Sequence, residues 1–232
     1  MSARDMNELG MNEPGTNEDF STGIAEAGTQ DAAKADARLE LHAHFERLHA
    51  QSSDPWHYDA SWYEQRKRAL TLAMLTRSRY RHAFEPGCSV GVLSADLAPR
   101  CDRLLCWDIS ASAVAHARRR LAPWRYAQVE QHELSDTPTE ALPTGAFDLV
   151  VFSELGYYLE PAALQATIEG LKRALHPSGE LVACHWRHPL ADGRMSGDVV
   201  HERLHEILEM PRVSTLTERD FRLDLWSAEV AP

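Results

Sequence analysis

The run Ala83-Phe-Glu-Pro-Gly-Cys-Ser-Val-Gly91 decides how this chain is read. Arg79 to Phe84 reads as the end of a first strand. Gly87 and Gly91 bracket a tight turn, and Val92 to Leu97 is helix-like. A strand, a glycine turn and a helix in that order present free backbone N–H groups to a nucleotide or nucleotide-like cofactor. The two glycines let the backbone approach a ligand that any Cβ would obstruct. Asp108 follows at the end of the apolar run Leu104-Leu-Cys-Trp107, 17 residues beyond Gly91. An acid there, at the tip of a second strand, is placed to take the two hydroxyls of a ribose. The middle of the turn is Ser89 rather than glycine, so the dinucleotide fingerprint G-x-G-x-x-G is absent. Asp108 does not separate the two ligand classes, but Glu85, two residues before the first glycine, does.

Outward from the turn, Ala37 to Gln51 has helical spacing through Leu39, Ala43 and Leu48. Ser52-Ser-Asp-Pro55 breaks it. Ser61 with Glu64 forms a capping box for a helix from Trp62 to about Leu75. Trp56, Tyr58, Trp62 and Tyr63 crowd this pair of helices. They either pack the pair onto the domain or make it a lid on the cofactor, with Trp56 and Tyr63 on the ligand and Arg66 on its carboxylate. C-terminal to Asp108, Ser110 caps a helix to about Leu121. A third strand runs from Tyr126 to Gln131, and Phe147 to Phe152 is apolar on both faces, as a central parallel strand is. A helix from Pro161 to about Leu175, a fifth strand from Glu180 to Trp186 and a strand–turn–strand from Ser214 to Val230 complete the pattern.

Composition limits what such a domain does. With 232 residues the chain can bury one sizeable α/β core. Hydrophobic residues make up 44%, yet no apolar run nears the roughly 18 residues of a membrane span. The N-terminus lacks the basic and apolar pattern of a secretory signal. Cys88, Cys101, Cys106 and Cys184 show no C-x-x-C spacing and read as reduced thiols, so a cytoplasmic protein is expected. The net charge of −11 argues against nucleic acid as partner. Residues 1–36 hold eight acids against Arg4 and Lys34, a net of −6, and read as a disordered acidic tail.

Four segments in order, namely Glu85-x-Gly87-x-x-x-Gly91, Asp108, Phe147-Asp148-Leu-Val-Val-Phe152 and Leu175-His-Pro-Ser-Gly-Glu180, resemble the class I S-adenosylmethionine-dependent methyltransferases. The resemblance narrows through Asp54-Pro-Trp56, Trp62-Tyr-Glu-Gln-Arg-Lys-Arg-Ala-Leu-Thr-Leu72, Phe84-Glu-Pro-Gly-Cys-Ser89 and Ser153-Glu-Leu-Gly-Tyr-Tyr-Leu159. These are similar to the nodulation protein S group, N-methyltransferases acting on the free amine of a deacetylated chitin-like oligosaccharide. That resemblance implies a Rossmann-like α/β fold: a seven-stranded mixed sheet, strand 7 antiparallel, with helices on both faces. It implies one domain over 37–232, a helical lid at 37–78 and a core at 79–232. It also implies S-adenosylmethionine as cofactor and a small-molecule acceptor, an amino sugar or chitooligosaccharide. On the cofactor side it carries over Glu85, Gly87, Cys88, Ser89, Gly91, Asp108 and Ile109. Glu133 and Leu134 join them at the adenine end, as does Ser153 at the tip of the fourth strand. Glu154 and Tyr157 then lie where the acceptor sits, with Asp148 structural, and no metal is required.

His201-Glu-Arg-Leu-His205 matches the zinc motif H-E-x-x-H and supports a rival reading as a metal-dependent hydrolase. Against it, Arg203 brings a charge where zinc proteases have none, and no third ligand is marked. His201 is otherwise an acceptor contact, grouped with Glu154 and Tyr157 as a catalytic candidate, or a surface histidine. An NAD-dependent oxidoreductase on a similar sheet is the second rival, opposed by Ser89 and Glu85.

Overall fold

The computed structural model describes residues 39–134 and 142–228. The expected acidic tail and part of the loop before Gly145 lie outside the described residues. The chain divides into two compact units, Met1–Leu41 and His42–Pro232, and the sheet and the site lie entirely in the second. A helix α1 (residues 39–51) precedes α2 (Trp62–Met74). There follow β1 (Ala83–Pro86), α3 (Val92–Leu97), β2 (Leu104–Asp108), α4 (Ala111–Leu121), β3 (Ala127–Gln131) and β4 (Phe147–Ser153). Then come α5 (Pro161–Ala174), β5 (Leu175–Trp186), α6 (Gly197–Leu208), β6 (Arg212–Thr217) and β7 (Phe221–Ser227).

The seven strands form one sheet in the order β3-β2-β1-β4-β5-β7-β6. β1 to β5 are parallel to their neighbours, and β7 runs antiparallel between β5 and β6. The order reverses beside β1, which leaves a crevice at the carboxyl ends of β1 and β4, where ligands of open α/β sheets bind. Two cores form because central strands bury alternate side chains on opposite faces. Phe84, Val150, Phe152 and Leu181 meet α5 and α6 through Leu164, Ile168, Leu171, Val200 and Leu204. Ala83, Leu149, Val151 and Val182 meet Leu97 of α3 and Val114, Ala117 and Leu121 of α4.

Helix starts follow the sequence. Ser61 Oγ accepts the Glu64 N–H, and Ser110 Oγ accepts the Ala113 N–H. β5 begins earlier than expected, at Leu175, because 176–179 bulge out between the pairs Phe147–Leu175 and Leu149–Glu180. Asp148, at the amino end of β4, accepts the N–H groups of Arg81 and His82 and so anchors the entry to β1, a structural role. Among the described residues no helix is long and apolar enough to cross a membrane.

Gly91 takes φ +77° and caps α3, and a Cβ there would stand 3.1 Å from the Cα of Ala117. Gly145 has φ +65° with open space around it. Gly145→Ala is therefore expected to cost about 1 kcal/mol, the left-handed strain alone. Gly91→Ala adds a backbone clash and is expected to cost about 2–3 kcal/mol. Urea unfolding of both variants measures the difference.

Candidate active site

The glycine turn is built as its sequence suggests. Gly87 and Ser89 also have positive φ, 72° and 50°. The Cys88 N–H reaches the Trp107 carbonyl at 2.9 Å, fastening the turn to β2. Asp108 lies beneath it, 8% exposed. Its Oδ2 accepts the Ser89 N–H (2.8 Å) and its Oδ1 the Ser110 N–H (2.9 Å). Burial pushes the Asp108 carboxyl up to about 6, against the pull of those N–H groups. Burial likewise pushes Glu85 up to about 7. Buried Ser89 Oγ has no hydrogen-bond partner. A cradle of left-handed residues, an acid at its base and an unused hydroxyl fit a ligand rich in hydroxyl and amino groups.

Beside the turn, Trp107 stacks on His132 (4.1 Å between ring centroids), and Ile109, Glu133 and Leu134 border the same strand tips. α1 and the loop after it reach both β2 and the turn. Glu46 accepts hydrogen bonds from the Ser110 and Ser112 hydroxyls and the Ser112 N–H at the start of α4. The two serine hydroxyls hold its carboxyl down to about 2. Arg120 grips Asp59 with both terminal nitrogens and gives its Nε–H to the Val90 carbonyl in the turn. Trp56 packs with Phe45, His49 and Tyr58, and Phe45 reaches Tyr158.

The second half of the site stands at the tip of β4. Glu154 adopts φ 54°, a left-handed conformation that costs a non-glycine residue energy and persists where surroundings enforce it. Its N–H binds the Cys184 carbonyl at 2.8 Å. Its carboxylate takes Lys67 Nζ at 2.8 Å, the Tyr157 hydroxyl, and the Trp186 N–H at 3.2 Å. Lys67 also binds Glu64 at 3.0 Å. Burial alone would discharge Lys67, but Glu154 and Glu64 outweigh it and hold its ammonium well above the usual lysine range. The two halves touch, since a Cβ on Gly87 would meet the Leu155 side chain at 3.1 Å.

The profile of the nodulation protein S (NodS) family matches residues 40–198. This chain belongs to that family. It is an S-adenosylmethionine-dependent methyltransferase. Nodulation protein S of Sinorhizobium fredii is 33% identical over 157 residues, 64% of this chain and 68% of that one. The Rhizobium tropici protein is 30% identical over 69% of this chain and 67% of its own. A crystal structure from Pseudomonas syringae, described as a methyltransferase by inference, is 53% identical with a TM-score of 0.63, covering 72% of this chain and 99% of that one. The N-methyltransferase NodS of Bradyrhizobium japonicum WM9, solved with S-adenosyl-L-homocysteine, shares the fold at TM-score 0.71 and 24% identity over 80% of this chain and 97% of that one.

The structure redistributes several expected residues. Glu85, Gly87, Cys88, Ser89, Gly91, Asp108 and Ile109 gather at the turn and the tip of β2, and Ser153 ends β4. Arg66 does not join them. It points away and forms a two-pronged ion pair with Glu218 in the β6–β7 turn, leaving Lys67 as the inward member of the basic run. Tyr63 packs on Trp186 and Phe221, at the ends of β5 and β7 rather than over the turn. Trp62 is 74% exposed and covers nothing. Tyr157 donates its hydroxyl to Glu154, and burial with the Glu154 charge lifts its phenol well above the usual range.

His201 is corrected on both readings. It is fully buried and its two ring nitrogens are engaged by Asp224 and His185, so it neither meets solvent nor touches an acceptor. His205 faces outward and takes the Trp226 Nε1–H. Among the described residues no group of three or more His, Cys, Asp or Glu side chains is placed to hold a metal ion. With His201 turned to His185 and Asp224 and His205 facing outward, the H-E-x-x-H pair does not form a zinc face.

Lys67, Glu46 and Arg120 are the residues that sequence reading passed over. Lys67 carries a signal: Tyr63, Lys67, Thr71 and Met74 share one face of α2 at helical spacing, and a lysine in an otherwise inward stripe needs a buried partner. Lys67→Met is expected to cost about 2–4 kcal/mol at neutral pH, because it strands Glu64 and Glu154 as buried carboxylates. Denaturant titration at pH 7.5 measures the cost, and wild-type stability in the variant contradicts the pairing.

Proposed function

We propose that the chain methylates the nitrogen of an amine on a small molecule, the acceptor class being an amino sugar of the deacetylated chitooligosaccharide kind. The observation that carries this reading is Glu154: a left-handed carboxylate at the tip of β4, 18% exposed, beside the glycine turn. Glu64, Lys67 and Glu154 together bring two carboxylates to one ammonium. The residual negative charge favours an incoming ammonium over a neutral hydroxyl. The name of the Bradyrhizobium neighbour, an N-methyltransferase, points the same way.

When bound, S-adenosylmethionine supplies a methyl group activated on a sulfonium sulfur. Asp108 accepts the ribose hydroxyls. The backbone of Gly87, Cys88 and Gly91 surrounds the ribose and methionine portions, and Glu85 steadies the turn. Ile109, Glu133 and Leu134, with the Trp107–His132 stack, flank the adenine. α1 and the loop through Trp56 exclude water as a lid latched by Glu46 and Arg120. On the acceptor side, Glu154 holds the amine and takes its proton on a carboxylate oxygen, while Tyr157 and Lys67 fix that carboxylate. Most of the chain's contribution is alignment, since the donor is already activated.

Calorimetric titration with S-adenosylhomocysteine tests the cofactor half. Asp108→Ala is expected to weaken binding by about 1–3 kcal/mol, the scale of lost charge-assisted hydrogen bonds. Wild-type affinity should fall as pH drops through about 6, where Asp108 takes up a proton and ceases to accept both hydroxyls. Unchanged affinity in the variant rejects the ribose assignment. The acceptor half is tested with deuterated-methyl donor and paired substrates, glucosamine oligomers and their N-acetylated counterparts. Label is expected on the free amine alone, and Glu154→Gln should cut turnover roughly 100-fold or more, the usual scale of a lost proton acceptor, while sparing cofactor binding.

A further inference from the structure

Behind the acceptor loop lies a line of buried polar groups that methyl transfer does not use. Gly156 N–H meets His185 Nε2 at 3.1 Å, His185 Nδ1 meets His201 Nε2 at 3.1 Å, and His201 Nδ1 meets Asp224 Oδ2 at 2.7 Å. His185, His201 and Asp224 are all 0% exposed. His201 and Asp224 lie beyond the segment that the family profile matches.

The two ends dictate the protons between them. A backbone N–H can only donate, so His185 Nε2 carries a lone pair. Asp224 also accepts from Thr215 Oγ1 and faces Arg222 Nε at 2.8 Å and Arg212 at 3.4 Å. Despite burial, the hydrogen bonds from His201 and Thr215 and the Arg222 charge hold its carboxyl below the usual range, so it too accepts. Only one arrangement satisfies both ends: two neutral imidazoles, each protonated on Nδ1. An extra proton on either ring turns His185 Nε2 into a donor aimed at a donor. Burial opposes that proton and lowers both histidines from their ordinary values. On His185 the Lys67 ammonium adds to burial; on His201 Asp224 and Asp198 pull the other way and Arg222 opposes them, yet burial prevails.

The last acceptor in this line fixes Gly156, two residues after Glu154 and one before Tyr157. The backbone is packed closely there, since a Cβ on Gly156 would meet Val200 at 2.4 Å and His185 Nε2 at 3.2 Å. We propose that His185 and His201 are positioning residues: a proton-ordered line from Asp224 to Gly156 N–H that holds the Glu154–Tyr157 loop in its acceptor-binding geometry. The function of that loop rests on the amine methylation reading; the line itself does not.

His185→Phe keeps the ring that packs on Phe152 and Tyr157 but removes the acceptor. His185→Gln returns an acceptor oxygen without the ring. Hydrogen exchange at the Gly156 amide should be roughly tenfold or more faster in His185→Phe and within about threefold of wild type in His185→Gln, as local opening follows the lost bond. With the amine substrate, His185→Phe should raise acceptor KM and lower kcat while S-adenosylhomocysteine affinity stays put, and His185→Gln should restore both. Equal exchange in the two variants, or better retention in the phenylalanine one, overturns the proposal in favour of packing. Nitrogen-15 spectra of the wild-type histidines give a readout independent of any variant's folding. Nδ1–H tautomers at both positions are expected, and an Nε2–H tautomer or a charged ring at His185 contradicts the proposal. If no amine is methylated by any form of the protein, the functional reading fails while amide exchange still decides the line.

Discussion

The ion pair between Lys67 and Glu154 joins parts of the chain that are remote in sequence, and the site depends on it. Lys67 belongs to α2, before the sheet begins; Glu154 belongs to the end of its central strand. Neither side chain is stable where it is without the other, because an isolated buried charge is costly and its removal from a pair more so. Such a pair is often no more stabilising than two apolar residues in its place. What it supplies is position: α2 must seat in one register for its ammonium to meet both Glu64 and Glu154, and Glu154 must accept a left-handed backbone to be met.

The half of the site at the glycine turn rests on backbone and the half at the tip of β4 on side chains. The turn from Gly87 to Gly91 is an array of positive-φ residues closed on β2 and underlain by Asp108. That geometry is written locally, in two glycines and one acid, and it leaves N–H groups and a carboxylate ready for hydroxyls. The half at the tip of β4 draws on α2, β4 and β5, so it forms only once the sheet has formed. Leu155 against Gly87 puts the two halves side by side.

This difference explains what was legible in the sequence. The succession of strands and helices along the chain, the glycine turn and the caps at Ser61 and Ser110 could be read directly, because each follows from local periodicity or from a residue's own backbone preference. The arrangement of the strands into a mixed sheet followed only from the family resemblance. The inward member of Arg66-Lys67-Arg68 could not be read from the charges, which are alike; only the helical stripe through Tyr63, Thr71 and Met74 distinguishes it. Arg66 found Glu218, 152 residues away, a partner no local rule names. His201 was expected at the acceptor because it follows the fifth strand, but that position says nothing of what its face of α6 packs against. Here it packs on Asp224 and His185, two strand residues with no pattern linking them to α6. The early start of β5 was missed because Pro177 and Gly179 mark a turn, whereas the structure makes them a bulge within a strand.

The claim that Lys67 and Glu154 act as one unit in aligning the acceptor is tested most directly by a double-mutant cycle on methyl transfer. Lys67→Met, Glu154→Gln and the double variant would be assayed at saturating methyl donor with one amine acceptor, S-adenosylhomocysteine affinity being checked for each. The account predicts strong coupling: the double variant loses no more activity than the worse single one, with cofactor affinity unchanged throughout. Losses that simply multiply would show that the two residues act separately and would contradict it.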